Sequence, residues 1–213
     1  MKVQAFRIDE FQAKSLLRAF RSKESMIAFW MEAAKIISIY DSEAAEAVDL
    51  PGVIEVRTAK MKRIFVEYDG KSFSAAFPMS IKTVDGFNIC TLKSGIQVDN
   101  KVSSEVLRFL DSSSFDQNDL DGFIDGIFDS SDDDPNTLWR VISELVRTDD
   151  GYVRADHDPK NENGNLHPLD HLDIFYSQGA TLKVGLLGKM SLTGLSDLLN
   201  IRTDCRFLND AKN

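Results

Sequence analysis

The central β-sheet can be predicted from "VIEVRTAKMKRIFVEYDGKSFSAAF", residues 53–77. Its three runs, VIEVRT, KRIFVEY and KSFSAAF, are short and rich in β-branched and aromatic residues, which is typical of strands. Asp69 and Gly70 lie between the second and third runs, and this dipeptide is a strong signal for a two-residue hairpin turn. Together with GFNICTL further along the chain, the pattern predicts an antiparallel β-meander over residues 53–93.

The segment before this meander, residues 1–50, has the spacing of amphipathic helices. Apolar side chains recur every three or four residues in DEFQAKSLLRAF and in SKESMIAFWMEAAKIISIY, which is the period of one helix face. Ser22 or Ser25 is expected to cap the second helix. Such stripes are typical of core packing, and their members are Phe11, Leu16, Leu17, Phe20, Ile27, Trp30, Ala34, Ile37 and Tyr40.

The segments after the meander complete a single α+β domain over residues 1–213. Residues 102–148 are predicted to be helical. The last helix of this segment is predicted to have Asp134 as its N-cap and Pro135 at its first position. Residues 151–213 are predicted to form histidine-bearing strands and a closing helix, MSLTGLSDLLN. This order predicts N-terminal helices packed on a mostly antiparallel sheet of about six or seven strands rather than alternating βαβ units.

Acidic residues are concentrated in one segment. The chain has 34 Asp and Glu against 25 Lys and Arg, and nine aspartates lie between Asp111 and Asp134, where no basic residue occurs. The apolar spacing inside this segment predicts an amphipathic helix over about residues 117–129 with aspartates on its outer side. An EF-hand is excluded, because Phe128 stands where the bidentate Glu of a loop beginning at Gln117 belongs. A solvated helix and a surface that mimics DNA or docks a partner both stay open.

Cysteine usage and hydropathy predict a cytoplasmic protein without a membrane partner. Cys90 and Cys205 are far apart and are expected to be reduced, with a disulfide as the alternative. The start, MKVQAFRIDEF, lacks the apolar core of a signal peptide, and no apolar run approaches the ~18 residues that span a bilayer. The chain also contains no P-loop lysine motif, no G-x-G-x-x-G and no G-x-S-x-G. The familiar NTPase, dinucleotide-binding and hydrolase-elbow classes are therefore excluded.

All three histidines, His157, His167 and His171, lie within fifteen positions and are interleaved with aspartates. The flanking runs, GYVRADHD and HLDIFYSQGATLKVGL, have the alternation of strands. One face is predicted to carry Leu172, Ile174, Tyr176, Leu182, Val184 and Leu186 over the core. The opposite, polar face is predicted to carry Arg154, Asp156, Asp158, His171, Asp173, Phe175 and Lys183. Pro168 restricts the backbone of His167 and should bring it towards His171.

Two kinds of chemistry suit this polar face. Imidazoles and carboxylates are preferred ligands of zinc and manganese, and His167, His171 and Asp158 are the predicted metal ligands. Without a metal, a histidine exchanges protons near neutral pH while Arg154 or Lys183 neutralises a phosphate. The predicted catalytic set is His167, His171, Asp156, Asp158 and Arg154. The alternative interpretation is that these are surface residues that satisfy one another's hydrogen bonds.

The order R-x-D-x-D-P, a polar loop and H-P-x-x-H resembles a poorly characterised bacterial domain family with a D-P…H-P-x-x-H core. The signature falls on Arg154, Asp156, Asp158, Pro159, His167, Pro168 and His171, and the likeness covers mainly residues 148–200. The next strand, TLKVGL, departs from the family pattern, which more often holds an arginine and a proline there. Some members of that family are encoded beside a helicase in antiphage defence operons, and no activity is assigned to the domain.

The resemblance implies a component of a bacterial antiphage defence system that acts with a helicase or other ATP-driven partner. On this hypothesis the chain is a small nuclease-like or phosphate-handling subunit that also contacts nucleic acid. The alternative hypothesis is a noncatalytic accessory protein that docks on a larger nucleic-acid-processing partner. If the site is chemical, replacing His167 or His171 with alanine should each abolish activity in the presence of the natural partner while costing under about 1 kcal/mol of stability. If each change instead unfolds the protein, the histidines are buried structural hydrogen-bonding residues.

Overall fold

A computed structural model describes residues 3–18, 20–58, 61–112, 120–132, 134–177 and 180–207. Its strands are β1 (Val3–Ile8), β2 (Gly52–Arg57), β3 (Arg63–Tyr68), β4 (Lys71–Ala76), β5 (Met79–Val84), β6 (Phe87–Leu92), β7 (Tyr152–His157), β8 (Asp170–Ser177) and β9 (Ala180–Gly185). Its helices are α1 (Glu10–Leu16), α2 (Lys23–Ser38), α3 (Ser42–Glu46), α4 (Asn100–Asp111), α5 (Leu120–Ser130), α6 (Pro135–Val146) and α7 (Leu192–Leu198).

Seven strands form one antiparallel sheet in the order β1-β2-β3-β4-β7-β8-β9, and β5 and β6 form a separate two-stranded sheet. The predicted α+β class, with helices packed on a mostly antiparallel sheet, is confirmed. Because β4 pairs directly with β7, everything from β5 to α6 is an insertion between two neighbouring strands. The β7–β9 end of the sheet, which carries the histidines, is therefore one edge of the main sheet.

The predicted hairpin between β3 and β4 is confirmed. Asp69 and Gly70 have φ of 47° and 78°, and a two-residue turn that matches the twist of its strands needs positive φ at both central positions. The predicted single meander over residues 53–93 is wrong in one respect. The chain leaves the main sheet after Ala76, at Phe77 and Pro78, and β5 then pairs only with β6.

The prediction that residues 1–50 are helical is wrong for residues 3–8. These residues form β1, which pairs antiparallel with β2 and buries Phe6 and Ile8 on one face. The alternating sequence VQAFRI is compatible with a strand, but six residues of alternation specify a strand only when a partner strand lies beside them.

The main core lies between one face of the sheet and the helix α2. Ser22 caps α2 and its side chain accepts a hydrogen bond from the backbone N–H of Ser25. The predicted stripe of α2 is buried, and the indole Nε1 of Trp30 donates to the carbonyl of Ala76 at 2.8 Å. Tyr40 and Leu17 are only partly buried against this core, and Phe11 is exposed.

The other face of the sheet has a smaller core beneath α7. Its buried members are Phe65, Ala155, Leu172, Leu192 and Leu195. The closing helix is therefore where the sequence predicts it, and Ser191 caps its N-terminus by accepting from the N–H of Gly194. Both faces of the β7–β8 region are thus covered, one by the main core and one by the core beneath α7.

The acidic segment contains α5, whose apolar side packs towards α4 and α6. The N-terminal part of the predicted helix, residues 117–119, lies outside the described residues. Asp134 caps α6, and Pro135 is at its start, as predicted. Ile127 is buried and packs with the main core, whereas Phe128 is exposed.

The two cysteines are both free thiols: Cys90 is buried and Cys205 is exposed. Among the described residues no helix is long and apolar enough to cross a bilayer.

Candidate functional site

The candidate site begins where the main core ends, on the same face of β7 and β8. Tyr152 and Phe175 face each other across the two strands and stack with ring centroids 5.2 Å apart. The next two cross-strand pairs on that face are Arg154 opposite Asp173 and Asp156 opposite His171. Strand alternation therefore places an apolar pair and two polar pairs in one row on a single face.

This position corrects part of the sequence interpretation. The Leu172 face does cover a core, the small one beneath α7, but the polar face is continuous with the main core rather than an open surface. Phe175 is buried on the polar face, and Tyr176 and Leu182, predicted to face the core, are 77% and 57% exposed. The β8–β9 pairing shifts register between Phe175 and Ser177, so simple alternation does not hold at that end.

Arg154 joins the two carboxylates of the site. Its Nε lies 2.9 and 2.8 Å from the two carboxylate oxygens of Asp156, and its Nη2 lies 2.8 Å from Oδ2 of Asp173. The carboxylate of Asp156 is only 2% exposed. A planar guanidinium can hold two carboxylates in fixed positions with charge-assisted hydrogen bonds. Arg154 thus positions both acidic side chains.

His171 is completely buried between these carboxylates. Its Nδ1 lies 2.8 Å from the carbonyl oxygen of Pro168, and a carbonyl can only accept, so Nδ1 carries the proton. In the neutral ring Nε2 therefore presents a lone pair. That atom lies 3.8 Å from Oδ2 of Asp156 and 3.8 Å from Oδ2 of Asp173, and it finds no hydrogen-bond partner among the described residues.

His167 lies over His171, with ring centroids 4.5 Å apart and an interplanar angle of 73°. Lys183 Nζ is 3.1 Å from His167 Nδ1. Because a lysine ammonium only donates, Nδ1 accepts and the proton of the neutral ring is on Nε2. That Nε2 atom is buried, 3.5 Å from Oδ2 of Asp158, and has no hydrogen-bond partner among the described residues.

Asp158 is at the border of the site, in the turn that follows β7. Its carboxylate accepts from the backbone N–H and the side-chain amide of Asn161, at 3.3 and 2.9 Å. The side-chain hydrogen bond from Asn161 is the main reason that the pKa of Asp158 lies below its usual value. Asp158 contacts His167 but does not reach His171 in any ion pair of the described structure.

The structure therefore brings the five predicted catalytic residues, His167, His171, Asp156, Asp158 and Arg154, into one neighbourhood but favours a different set of metal ligands. Among the described residues one group of potential ligands has all its ligand atoms within 4.8 Å of one another, and it consists of Asp156, His171 and Asp173. His167 and Asp158, two of the three predicted ligands, are not in this group. The expectation that His171 is a surface residue is wrong, because it is 0% exposed.

Two residues of the site were not in the predicted set. Asp173 accepts from Arg154, and its Oδ1 lies 3.4 Å from Lys183 Nζ. These two residues are Asp173 and Lys183, and the sequence did contain a signal for them, because strand alternation places both on the polar face. Their pairing across β8 and β9 depended on the strand register, which the sequence did not specify.

The third histidine, His157, is not part of the site. It points to the opposite face of β7, where its Nδ1 lies 2.8 Å from the carboxylate of Asp170. This separate histidine–aspartate pair is a matched control for any experiment on His167 or His171.

No protein-family model matches the chain, and no curated protein or solved structure is significantly similar to it.

Taken together, the site offers two cations, three carboxylates and two imidazoles whose buried Nε2 atoms lack partners. Cations can neutralise the oxygens of a phosphate, and imidazoles can exchange a proton or bind a metal. Buried polar atoms normally have hydrogen-bond partners, so two unpartnered imidazole nitrogens in one place require a chemical explanation.

Proposed function

We propose that this chain is a small nuclease-like, phosphate-handling subunit that acts with a helicase-type partner in bacterial antiphage defence. The phosphate-handling activity is supported by one observation. The imidazole Nε2 atoms of His167 and His171 are buried without hydrogen-bond partners among the described residues, and the cations Arg154 and Lys183 lie beside these rings. The cellular setting rests only on the resemblance to the family with the D-P…H-P-x-x-H core.

The roles of the cations follow from their surroundings. Lys183 is more exposed than Arg154, with a side-chain exposure of 34% against 17%. Arg154 is occupied by two carboxylates, so its main role is to position them. Lys183 is therefore the cation that a phosphate would meet first, and it would neutralise a non-bridging oxygen of that phosphate.

His167 is the candidate proton donor. Lys183 Nζ lies 3.1 Å from Nδ1, so its ammonium can pass a proton to Nδ1 and form the imidazolium, which then gives its Nε2–H to a leaving-group oxygen and returns to the neutral ring. Asp158, 3.5 Å from that Nε2, would stabilise the positively charged form of the ring. A general acid in this position typically contributes about 10² to 10⁴-fold to the rate.

The test is cleavage of phosphodiesters by the purified full chain, alone and with its helicase-type partner. Bis(p-nitrophenyl) phosphate and labelled single- and double-stranded DNA are the substrates, with Mg²⁺, Mn²⁺ or Zn²⁺ added. We expect His167→Ala to lower the rate by about 10² or more, and His157→Ala to leave it unchanged. Equal rates for the wild type and His167→Ala, or no cleavage of any substrate in either setting, would contradict the proposal.

A second candidate function, a docking protein, is supported by a different surface. An apolar groove of about 220 Å³ between α5 and α6 is lined by Ile124, Ile127, Phe128, Pro135, Asn136 and Trp139. Phe128 is 61% and Trp139 46% exposed. Beside the groove, α5 presents Asp121, Asp125 and Asp129 at intervals of four residues, which is one helix face.

The charge of this groove selects its occupant. No described residue forms an ion pair with any of the three aspartates, so their negative charge is available to a partner. A second copy of the same acidic face would be repelled. A basic amphipathic helix of a partner protein would bury its apolar face in the groove and pair its cationic side chains with the aspartates. The docking candidate is therefore a subunit that captures a basic helix.

A synthetic Lys/Leu amphipathic helical peptide is the probe for this surface. Its binding should change the fluorescence of Trp139, while Trp30 is buried in the core and serves as an internal reference. We expect the triple change Asp121→Asn, Asp125→Asn and Asp129→Asn to weaken binding at least tenfold. The control, Glu43→Gln, Glu46→Gln and Asp85→Asn, removes the same charge elsewhere and should bind normally; equal losses in both variants would refute a specific groove.

A further inference from the structure

We propose that Asp156, His171 and Asp173 bind one divalent transition-metal ion, of which Zn²⁺ and Mn²⁺ are the matching probes. The inference deepens the proposed function, because it names the cofactor of the same site, but metal binding can be measured without any turnover. It also replaces the ligand set expected from the sequence, in which His167 and Asp158 accompany His171.

The orientation of His171 is that of a metal ligand. Metal-binding histidines commonly donate their second ring N–H to a backbone carbonyl or a carboxylate, which fixes the tautomer and the ring orientation. Here Nδ1 donates to the carbonyl of Pro168 at 2.8 Å. The remaining lone pair, on Nε2, is directed into the space between two carboxylates and is completely buried.

The distances fit a metal ion better than they fit hydrogen bonds. Nε2 is 3.8 Å from an oxygen of Asp156 and 3.8 Å from an oxygen of Asp173, which is too long for a hydrogen bond. Two ligand atoms at about 2.1 Å from a tetrahedral metal are about 3.4 Å apart. The two distances to Nε2 would therefore have to shorten by about 0.4 Å, and the ligand atoms of the three residues already lie within 4.8 Å of one another.

Arg154 supports this site rather than closing it. The Oδ2 atoms of Asp156 and Asp173 accept from Arg154 and are also the oxygens 3.8 Å from His171 Nε2. Each carboxylate oxygen has about two lone-pair directions, so one oxygen can accept from a guanidinium and also bind a metal. Carboxylate ligands are usually held by such outer hydrogen bonds. Arg154, which holds Asp156 and Asp173 at 2.8 Å, fills this role for both ligands.

The local charge defines what the metal form would bind. Arg154 and Lys183 balance the carboxylates of Asp156 and Asp173. Asp158 adds a negative charge, and Lys71, opposite Asp156 on β4, adds a positive one. A divalent ion would leave the site with two uncompensated positive charges. The metal-loaded site would therefore attract a phosphate anion, which links the metal to the substrate class of the proposed function.

Three protein ligands leave a position open on the metal. Sites with three protein ligands and one exchangeable water are typical of catalytic zinc, whereas structural zinc has four protein ligands. A metal-bound water has a lowered pKa and can act as a nucleophile near neutral pH. His167, whose ring centroid lies 4.5 Å from that of His171, and Lys183, whose Nζ lies 3.4 Å from Oδ1 of Asp173, are the neighbouring groups that would meet a bound phosphate.

The competing explanation is a metal-free ion-pair network that fastens β8 to β7. The two explanations differ in their response to metal, so the test is isothermal titration of the untagged, chelator-treated full chain with ZnCl₂ and MnCl₂. We expect about one equivalent to bind. Asp173→Asn, which keeps the shape of the side chain, and His171→Ala should each weaken binding at least tenfold.

Two controls separate the ligand sets. His157→Ala, on the opposite face, should bind metal like the wild type, and His167→Ala should lose less than His171→Ala because His167 Nδ1 is engaged by Lys183. The proposal is overturned if the wild type binds neither ion, or if His167→Ala abolishes binding while Asp173→Asn does not. Circular dichroism and urea unfolding of each variant identify any loss of binding that comes from unfolding. If His171→Ala does not fold, metal binding by Asp173→Asn is the measurement that tests the proposal.

The outcome is independent of the cleavage assay. Metal binding without phosphodiester cleavage would retain this site and remove the proposed function. Cleavage that persists in chelator, and in Asp173→Asn, would retain the phosphate-handling function and remove the metal.

Discussion

The Nδ1 atom of His171 lies 2.8 Å from the carbonyl oxygen of Pro168, three residues earlier in the chain. This single hydrogen bond explains the H-P-x-x-H spacing physically. The proline restricts the backbone at the start of β8, its carbonyl fixes the tautomer of His171, and the Nε2 lone pair is left facing Asp156 and Asp173. The same turn carries His167 over the His171 ring, with centroids 4.5 Å apart.

The burial of His171 predicts a difference in stability between the two histidine variants. His171→Ala removes a fully buried ring and leaves the carbonyl of Pro168 without its donor, so we expect a loss of about 1–3 kcal/mol in the free energy of unfolding. His167→Ala, at 28% side-chain exposure, should lose under about 1 kcal/mol. Urea unfolding measures both, and equal losses would contradict the burial of His171.

Gly185 is predicted to be a packing requirement of the site. It lies opposite His171 in β9, and a Cβ added there would be 3.2 Å from Cγ of Pro168. Gly185→Ala should therefore displace the Pro168 turn and weaken metal binding or activity several-fold, with a stability loss of about 1 kcal/mol. Gly188→Ala, whose added Cβ would meet nothing within 4 Å, is the control and should behave like the wild type in both measurements.

Arg154 is predicted to be required for folding as well as for the site. Arg154→Met would leave Asp156, whose side chain is 2% exposed, as a buried carboxylate without its guanidinium. Removing one partner of a buried pair typically costs about 3–5 kcal/mol, whereas Arg154→Lys keeps the charge and should cost less. Chemical denaturation of both variants checks the order. A methionine variant as stable as the lysine variant would show that the carboxylate is solvated.

The aspartates of α5 are predicted to matter for association and not for stability. Not every aspartate of the acidic segment is suitable for this test, because Asp132 accepts two hydrogen bonds from Arg108, at 2.7 and 3.0 Å, and Asp133 lies outside the described residues. Replacing Asp121, Asp125 and Asp129 avoids this pair. The melting temperature should change by only a few degrees; a collapse of the fold would show that the acidic face is structural.

The two thiols are predicted to react at very different rates. Burial raises the pKa of Cys90 to about 11, so only about 10⁻³ of it is thiolate at pH 8, and the side chain is shielded from reagent. Cys205 is exposed. Titration with a disulfide reagent at pH 8 should therefore count one reactive thiol in the folded chain and two after denaturation. Two fast thiols in the folded chain would contradict the packing of β6 against α2.

The sequence by itself determined the elements whose signals are local. The Asp69-Gly70 hairpin, the caps of α2 and α6, the closing helix and the alternation of β7 each depend on neighbours along the chain, so the α+β class and the polar row Arg154, Asp156 could be predicted. The strand β1 escaped prediction, because a run of six residues becomes a strand only when β2 supplies its hydrogen bonds.

Only the tertiary structure decided which residues the site contains and how deeply they are buried. Sheet register set Asp173 beside Arg154 and Lys183, and register comes from pairing between strands, not from any one strand. His171 is buried by residues brought together from β7, β8 and the turn before β8, among them Asp156, Asp173 and His167. The metal ligands inferred from spacing, His167 and Asp158, therefore differ from the group that the structure brings together, Asp156, His171 and Asp173, because distances between strands are not encoded in distances along the chain.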